Sequence, residues 1–237
     1  MKLAVFIDYD NLLEAHKVSG ILDITSRALL QTPLTSSDVR GTCEIRVYGG
    51  WYEGLTMTSL AQSVAVSMQS EFPTIIRLPR NNAPSVSLST TAELAVAMME
   101  EPGHHLFNTY RKKARPRNVR VQKPDAIGCV EAACPLPSAK MLLKTGTCPV
   151  STCTVAAVDL VYRHEQKIVD TMLTCDLIYS THLSYDCVIL VSGDDDFLPP
   201  VRTVLLRGTP VARFNPQPSR TRTPFPSVGG KLTDIDL

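Results

Sequence analysis

Three groups of aspartates supply the side chains that bind hard metal ions. Asp8 and Asp10 lie near the start of the chain, and Asp170 lies in its last third. Three more aspartates stand side by side in VILVSGDDDFLPPV, residues 188–201. Adjacent carboxylates repel one another, and removing them from water is unfavourable. A divalent cation would offset both effects, so the pattern raises the question of a metal site.

All three groups are expected at the carboxyl ends of strands. The first, together with Asn11, directly follows the apolar run 3–7, and the third follows the apolar run 187–191. Asp170 falls in the first turn of a helix predicted after another strand. In open parallel α/β sheets, ligands bind beyond the carboxyl ends of the strands. If these strands are neighbours, the carboxylates form one acidic pocket suited to Mg²⁺ or Mn²⁺.

Such a pocket has a clear chemical use. A bound Mg²⁺ or Mn²⁺ lowers the pKa of a bound water, orients it against a phosphodiester and neutralises charge on the leaving oxygen. Either two ions or a single ion would serve. The competing interpretation is structural, because a lone aspartate after a strand is commonly a helix N-cap, as Asp10 and Asp170 could be. Three adjacent aspartates exceed what a cap needs; we expect Asp194 and Asp196 to bind metal and Asp195 to point away.

The elements that would position these acids alternate between strand and helix. This alternation predicts an α/β fold with a parallel sheet. The predicted strands are 3–7, 43–48, 74–78, 154–164, 187–191 and 210–214, and the predicted helices are 12–30 with a break at Gly20, 59–69, 90–100, 167–181 and 197–206. Residues 81–89 resemble a linker, so an insertion is predicted at about 81–153 within a domain spanning 1–214. The proline-rich tail, 215–237, is predicted to be disordered.

The composition is that of an ordinary globular protein. The chain has 237 residues, 44% hydrophobic and 20% charged, with a net charge of +1. The first residues do not resemble a signal peptide, and no apolar stretch is long enough to span a membrane. We therefore expect a cytoplasmic protein. In that compartment the seven cysteines are expected to be free thiols or metal ligands rather than disulfides.

The insertion carries two further features. The segment RKKARPRNVRVQK, residues 111–123, contains no acidic residue and seven basic ones: Arg111, Lys112, Lys113, Arg115, Arg117, Arg120 and Lys123. This composition is typical of a solvated loop and equally of an arm that contacts RNA phosphates. Two C-x4-C pairs, formed by Cys129 with Cys134 and by Cys148 with Cys153, suggest a structural Zn²⁺ site. The alternative is four free thiols, because C-x2-C is the commoner spacing in zinc sites.

Three segments closely resemble the motifs of the NYN domain, a member of the PIN-like nuclease superfamily. They are FIDYDN at 6–11, KIVD at 167–170 with Asp176 six residues on, and YDCVILVSGDDDFLPPV at 185–201. Their order and strand contexts match, and so do the helix, Gly208 and strand that follow the third motif. Ile168 departs from the glycine common in the family. The segment 81–153 has no counterpart in the resemblance.

The resemblance implies a three-layer α/β/α domain with a mainly parallel central sheet, and a Mg²⁺- or Mn²⁺-dependent nuclease that usually acts on RNA. By position, the metal-binding aspartates would be Asp8, Asp170, Asp194 and Asp196. Asn11 would position the site or the scissile phosphate. Asp176 would be a supporting residue, and Ser192 and Gly193 would shape the turn that presents the acids. Asp10 and Asp195 are second-tier candidates, and Asp195 is an extra acid that departs from the family pattern.

The function expected from these observations is an endoribonuclease, with RNA a better substrate candidate than DNA. One alternative is a catalytically silent or partner-gated module that binds RNA or regulates. Another is a haloacid-dehalogenase-like phosphatase with Asp8 as nucleophile and Asp10 as acid, which Leu12 and the two later motifs disfavour. A homo-oligomer or a regulatory partner protein is compatible with each. By family analogy, roles as a toxin, in phage defence or in RNA processing stay open.

Overall fold

The structure is a computed structural model that describes residues 1–34, 37–80, 83–114, 135–217 and 232–237. The chain divides into two compact units. The first comprises Met1–Thr109 and Gln166–Leu237, and the second comprises Tyr110–Glu165. No helix in the described ranges is both long and apolar enough to cross a membrane.

The strands and helices alternate over most of the first unit. The strands are β1 (Lys2–Asp8), β2 (Arg40–Tyr48), β3 (Tyr52–Glu53), β4 (Thr56–Met57), β5 (Thr74–Arg80), β6 (Ala83–Leu94), β7 (Tyr110–Ala114), β8 (Tyr162–Gln166), β9 (Cys187–Val191), β10 (Val211–Asn215) and β11 (Leu232–Asp236). The helices are α1 (Glu14–Ser19), α2 (Ile21–Gln31), α3 (Ser59–Glu71), α4 (Leu136–Thr145), α5 (Ala157–Leu160), α6 (Val169–Tyr179) and α7 (Leu198–Leu206). The predicted break at Gly20 separates α1 from α2.

A curled, mainly parallel sheet forms the centre of the first unit. Its described strands lie in the order β11-β10-β9-β1-β2-β6-β5, and only the edge strand β5 runs antiparallel to its neighbour. The strand β1 lies between β9 and β2, and Ile7 is paired with Val191 on one side and Val47 on the other. Its continuous apolar sequence fits a strand buried on both faces.

Side chains of β1 alternate between two hydrophobic cores. Leu3, Val5 and Ile7 belong to a core that includes residues of α2 and α3. Ala4 and Phe6 belong to a second core that includes residues of α6 and α7. Because successive strand side chains point to opposite faces, the helices cover both faces of the sheet. The prediction of a three-layer α/β/α PIN-like fold is confirmed.

The helix predicted over residues 90–100 was wrong. Residues up to Leu94 belong to β6, and the segment 81–89 contributes to the same strand rather than to a linker. Val86, Leu88 and Thr90 are buried while the residues between them are more exposed, which is a period of two. The helical propensity of the Ala- and Glu-rich segment is overridden by pairing with β2 and β5.

Two further segments differ from the sequence-based predictions. Residues 154–164, predicted as one strand, form the short helix α5 and then most of β8. In the tail, β11 pairs in parallel with β10, so disorder does not extend over 232–236. The compact second unit begins later than the predicted insertion, at residue 110 rather than about 81, and also ends later, at residue 165 rather than about 153.

It contains β7, α4, α5, β8 up to Glu165, and a bridge between Thr147 and Ala156.

Candidate active site

The candidate acids that follow β1 and β9 lie where these two strands end side by side. Asp8 is the last residue of β1, and Ser192 directly follows β9. Each strand then continues into a short 3₁₀ turn, Tyr9–Asn11 after β1 and Asp195–Phe197 after β9. The two strands run parallel and in register, so both turns lie at the same edge of the sheet.

Asp8 is the most buried of the candidate metal ligands. Its residue surface is 5% exposed, and its Oδ2 accepts a hydrogen bond from Ser192 Oγ at 2.8 Å. Burial raises the pKa of Asp8 to about 7, and the Ser192 hydrogen bond opposes that rise. The negative charges of Asp170, Asp10 and Asp194 raise it further. These four carboxylates therefore form one electrostatically coupled group.

The turn after β9 is fixed by hydrogen bonds from two directions. Asp194 Oδ1 accepts from the backbone N–H of Asp196 at 2.9 Å, which caps the 3₁₀ turn. The backbone N–H of Asp194 donates to Ser192 Oγ at 3.1 Å. Ser192 thus links the turn to Asp8, because the same hydroxyl donates its proton to Asp8 Oδ2. The Asp196 side chain stays exposed at the mouth of the site.

Asp170 joins the group from the first turn of α6. Burial raises its pKa, and the negative charges of Asp194 and Asp196 raise it further. The helix starts abruptly, because its N-cap residue Ile168 has a φ of 62°. A left-handed conformation is unfavourable for a β-branched residue and easy for glycine. That explains why glycine suits this position in the motif that the sequence resembles.

Asn11 lies in the turn after β1 and connects it to the turn after β9. Its Oδ1 accepts from the backbone N–H of Gly193 at 3.1 Å, and its backbone carbonyl accepts from Gln217 Nε2 at 3.0 Å. Gly193 has no room for a side chain, since a Cβ there would stand 2.5 Å from Asn215 Oδ1. The glycine therefore permits the close approach of β10's end to the turn.

Asp10 also belongs to this edge of the sheet. Its Oδ2 accepts from the backbone N–H of Gly50, in the loop after β2, at 3.2 Å. Burial raises its pKa; the Gly50 hydrogen bond and Lys17 lower it, and Asp170 raises it. Asp10 thus links the ends of β1 and β2; it lies inside the 3₁₀ turn, and the N-cap residue of α1 is Leu13.

Asp176 lies outside this edge, further along α6. Its carboxylate accepts from Tyr48 Oη at 2.8 Å and from the backbone N–H of Met99 at 2.7 Å, and Arg46 Nε lies 3.4 Å away. These partners connect α6 to β2 and to the loop after β6. Asp176 is thus a buried structural residue, which is compatible with the supporting role expected from the sequence.

The residue that sequence reasoning missed is Arg213. It lies in β10 among buried apolar neighbours, in the sequence VARFN, and its own side chain is buried. Its guanidinium donates to the carbonyls of Ser192 at 3.3 Å and Asp194 at 3.2 Å, and to Asp195 Oδ1 at 3.1 Å. The signal was an arginine inside an otherwise apolar strand, because such a charge is buried only with partners. Asp195 is the partner carboxylate.

The donor set fits a hard cation, although the carboxylates do not converge tightly. Among the residues that the structure describes, no three His, Cys, Asp or Glu side chains stand close enough to hold a metal ion. The observation favouring a cation is that burial raises the pKa of both Asp8 and Asp170, and that the negative charges of neighbouring aspartates raise both further. A Mg²⁺ ion commonly takes one or two carboxylates and retains waters, so tight convergence is not required.

The predicted zinc and RNA-binding residues fall largely outside the described part of the chain. Cys129, Cys134 and the basic residues Arg115, Arg117, Arg120 and Lys123 lie there, and so do the side chains of Lys112 and Lys113. Arg111 lies in β7, and Cys148 and Cys153 are partly exposed and belong to no disulfide that the structure describes. Burial raises the pKa of Cys43 and Cys187 to about 12, as expected for thiols acting as small apolar core residues.

Comparison with known proteins supports the resemblance drawn from the motifs. The model of the NYN domain family matches residues 136–228, a range that includes the second and third motifs and excludes the first. This match confirms the predicted resemblance to the NYN domain, which belongs to the PIN-like nuclease superfamily. No curated protein and no solved structure matches the chain.

Proposed function

From the match to the NYN domain family, which indicates a nuclease-like superfamily, we propose that this protein is a Mg²⁺- or Mn²⁺-dependent endoribonuclease. The proposed reaction is hydrolysis of a phosphodiester: water adds to phosphorus, the bond to one ribose oxygen breaks, and that oxygen takes up a proton. The observation that carries the proposal is the group of carboxylates at the carboxyl ends of β1 and β9, formed by Asp8, Asp10, Asp170 and Asp194. We call this group the acidic edge.

That edge is unfavourable without a cation. Asp8 is nearly inaccessible to water, accepts a hydrogen bond from Ser192 and faces the negative charges of Asp170, Asp10 and Asp194. Like charges held close together in a partly desolvated site favour protonation of one of them, or binding of a positive ion. A divalent ion offsets two of these four negative charges and favours the ionised form of the carboxylates at neutral pH.

The residues that would hold the ion are Asp8, Asp170, Asp194 and Asp196. When bound, the ion supplies a Lewis acid and a water of lowered pKa. Ser192 keeps Asp8 and the Asp194 backbone in a fixed relation through its single hydroxyl. Because Asn11 Oδ1 already accepts from Gly193, its amide NH₂ is the group that would donate to a phosphate oxygen.

The first experiment compares cleavage of mixed RNA and DNA oligonucleotides by the wild type and by Asp194→Asn, with Mn²⁺, Mg²⁺ or EDTA. The matched control is Asp186→Asn. Asp186 precedes the strand that Asp194 follows, about 17 Å away along β9, and the Asn keeps an oxygen for the hydrogen bond from the Lys2 backbone. We expect internal RNA cuts that need metal, that Asp186→Asn retains, and that Asp194→Asn loses.

Cleavage that Asp194→Asn retains would remove the acidic edge from the mechanism. No cleavage by the folded wild type would favour the silent or partner-gated module instead. Preferred cleavage of DNA would correct the substrate class. A trapped aspartyl-phosphate would favour the phosphatase, which Leu12 and the second and third motifs disfavour.

We further propose that the basic segment 111–123 contacts the RNA backbone. The support is its seven basic residues with no acidic one, in a protein whose acidic edge repels a polyanion. Replacing Arg115, Arg117 and Arg120 with alanine should weaken RNA binding and reduce the salt dependence of log Kd by about 2. The charge-matched control replaces Arg27, Arg77 and Arg207, which are exposed in the first unit. An equal salt slope in both triple variants would remove the segment from the proposal.

We also propose that the four cysteines Cys129, Cys134, Cys148 and Cys153 hold a structural Zn²⁺, on the support of two pairs with equal spacing. Elemental analysis of the purified protein tests this. One equivalent of zinc, lost when Cys148 and Cys153 are replaced by serine, would support the site. A protein without zinc would leave four free thiols.

A further inference from the structure

Arg213 is a buried cation beside an acidic site. Its side chain is 4% exposed, and it projects from β10, whose residues are all buried. A guanidinium removed from water is strongly unfavourable unless it is paired and hydrogen-bonded. Within the described part of the chain, its side-chain hydrogen bonds go to residues 192–195, the segment that leads into the turn with Asp194 and Asp196.

The three contacts hold that segment at three points. Arg213 Nε donates to the carbonyl of Ser192, and Nη2 donates both to the carbonyl of Asp194 and to Asp195 Oδ1. The planar guanidinium presents its donors in a rigid fork, so the two carbonyls and the carboxylate are fixed relative to one another. A lysine ammonium would keep the charge without this fork.

We propose that Arg213 is a positioning residue, and that Asp195 is its counter-ion, so that together they present Asp194 and Asp196 to the metal. The inference rests on the proposed function. It accounts for the third aspartate of the DDD run: the middle carboxylate turns back to Arg213, while its neighbours remain on the acidic side. Asp194 is coupled to Asp8 and Asp170, and Asp196 is coupled to Asp170.

The geometry separates the roles of the three aspartates. The Asp194 side chain caps the turn through the Asp196 N–H, and its backbone carbonyl is held by Arg213. Asp195 is 40% exposed at its side chain, and one carboxylate oxygen is directed to Arg213 Nη2. Releasing the Arg213 contacts would remove the donors that hold the carbonyls of Ser192 and Asp194 and would free the turn to move.

The test measures Mn²⁺ binding directly, by the electron paramagnetic resonance signal of the unbound ion, alongside RNA cleavage and thermal unfolding. The variants are Arg213→Lys, Arg213→Met and Asp195→Ala. The control is Arg207→Met, which removes an exposed positive charge at the other end of α7. Replacing a residue that orients metal ligands typically lowers metal affinity by about 10- to 100-fold.

We expect Mn²⁺ affinity to fall at least tenfold in Arg213→Met and in Arg213→Lys, since charge alone does not restore the fork. Asp195→Ala, whose side chain is partly exposed, should fold and lose affinity by a smaller factor. The Arg213→Met and Asp195→Ala losses should be less than additive in the double variant, because both break one contact. Arg207→Met should bind Mn²⁺ as the wild type does.

Wild-type Mn²⁺ affinity in folded Arg213→Lys and Asp195→Ala would overturn the proposal, and so would a wild type that binds no Mn²⁺. If Arg213→Met does not fold, those two variants decide. Failure of the proposed function gives a different pattern: Mn²⁺ binds and the Arg213 variants lose it, yet the wild type cleaves no RNA. In that case the positioning role stands and the ribonuclease assignment falls.

Discussion

The two ends of helix α6 carry aspartates in opposite circumstances. Asp170 in the first turn and Asp176 six residues on are about 9 Å apart along the helix axis. Both have pKa values raised by burial. At Asp176 the protein itself supplies a hydroxyl, a backbone N–H and an arginine, all of which lower the pKa. At Asp170 the added influences are Asp194 and Asp196, which raise it further.

The difference separates a carboxylate that the protein pairs internally from one that we propose binds a metal ion. Asp176 is 1% exposed, yet its charge is matched within the first unit by Tyr48, Met99 and Arg46. Beyond burial, the charges that raise the pKa of Asp8 and of Asp170 all belong to neighbouring aspartates, and the Ser192 hydrogen bond opposes the rise at Asp8. A fold that can satisfy a buried acid in one place and gathers acids in another is best explained by a ligand of opposite charge.

The largest expected effect is the loss of catalysis on replacing Asp170, in the first turn of α6. Asp170→Asn keeps the size of the side chain and removes one charge from the coupled group. We expect RNA cleavage with Mn²⁺ to fall by about two to three orders of magnitude, because charge stabilisation of the reacting phosphate is weakened. The thermal unfolding midpoint without metal should not fall, since a repulsion has been relieved. Unchanged cleavage would place the acidic edge outside the mechanism.

The second prediction reverses these outcomes at the other end. Asp176→Asn leaves Arg46 facing an amide and disturbs the acceptor for Tyr48 and Met99. Removing one member of a buried charged pair destabilises by about 3 kcal/mol, moderated here because Glu93 also pairs with Arg46. We expect a lower denaturant midpoint, with cleavage by the folded protein within about threefold of wild type. A loss of cleavage without a loss of stability would merge the two ends into one functional site.

The sequence predicted the aspartates of the acidic edge better than it predicted the residues that hold them in place. Strand ends and motifs located Asp8, Asp170 and Asp194, because each follows a local pattern that is readable over about ten residues. The role of Arg213 was not readable, because its partners lie about twenty residues earlier and meet it only through the pairing of β9 with β10. The same holds for Asp176, whose partners Tyr48 and Met99 come from distant parts of the chain.

The errors in the fold have a related cause. The segment 90–100 is rich in Ala, Met and Glu, which favour a helix. Residues 90–94 nevertheless pair with β2, and Thr90 also pairs with β5, and local propensity does not include such neighbours. The strand β11 was hidden because a proline-rich segment precedes it, and its pairing with β10 depends on the chain returning to the sheet edge. Long apolar strands such as β1 and β9 were readable because burial on both faces dictates their composition.

A third prediction concerns stability against pH in the metal-free protein. The pKa of Asp8 is about 7 in the folded state, against an ordinary value of 3.8. The folded state therefore holds this proton where the unfolded state has lost it. The stability it contributes is complete below about pH 4 and is lost as the pH rises to about 7.

Asp8→Asn removes that dependence. In EDTA, we expect the variant to be more stable than wild type by about 2 kcal/mol at pH 8, with the difference shrinking towards pH 5. Urea unfolding at several pH values measures it. Added Mn²⁺ should stabilise the wild type and not the variant, so that the order reverses. A difference that does not vary with pH would mean that Asp8 is ionised at neutral pH in the metal-free fold.

The smallest expected effect tests the backbone that begins α6. Ile168 has a φ of 62° and a side chain that is 39% exposed, so its β-branched group contributes strain and limited burial. Ile168→Gly should stabilise the protein by about 1 kcal/mol, and Ile168→Ala by less, because alanine retains a Cβ in the left-handed region. Cleavage should change by less than about twofold, since Asp170 keeps its place in the first turn. A different result would be an Ile168→Gly variant with lower Mn²⁺ affinity and unchanged stability. In that case the strained residue helps to hold Asp170 in position. The contrast between Asp170 and Asp176 would then include the backbone conformation as well as the neighbouring charges.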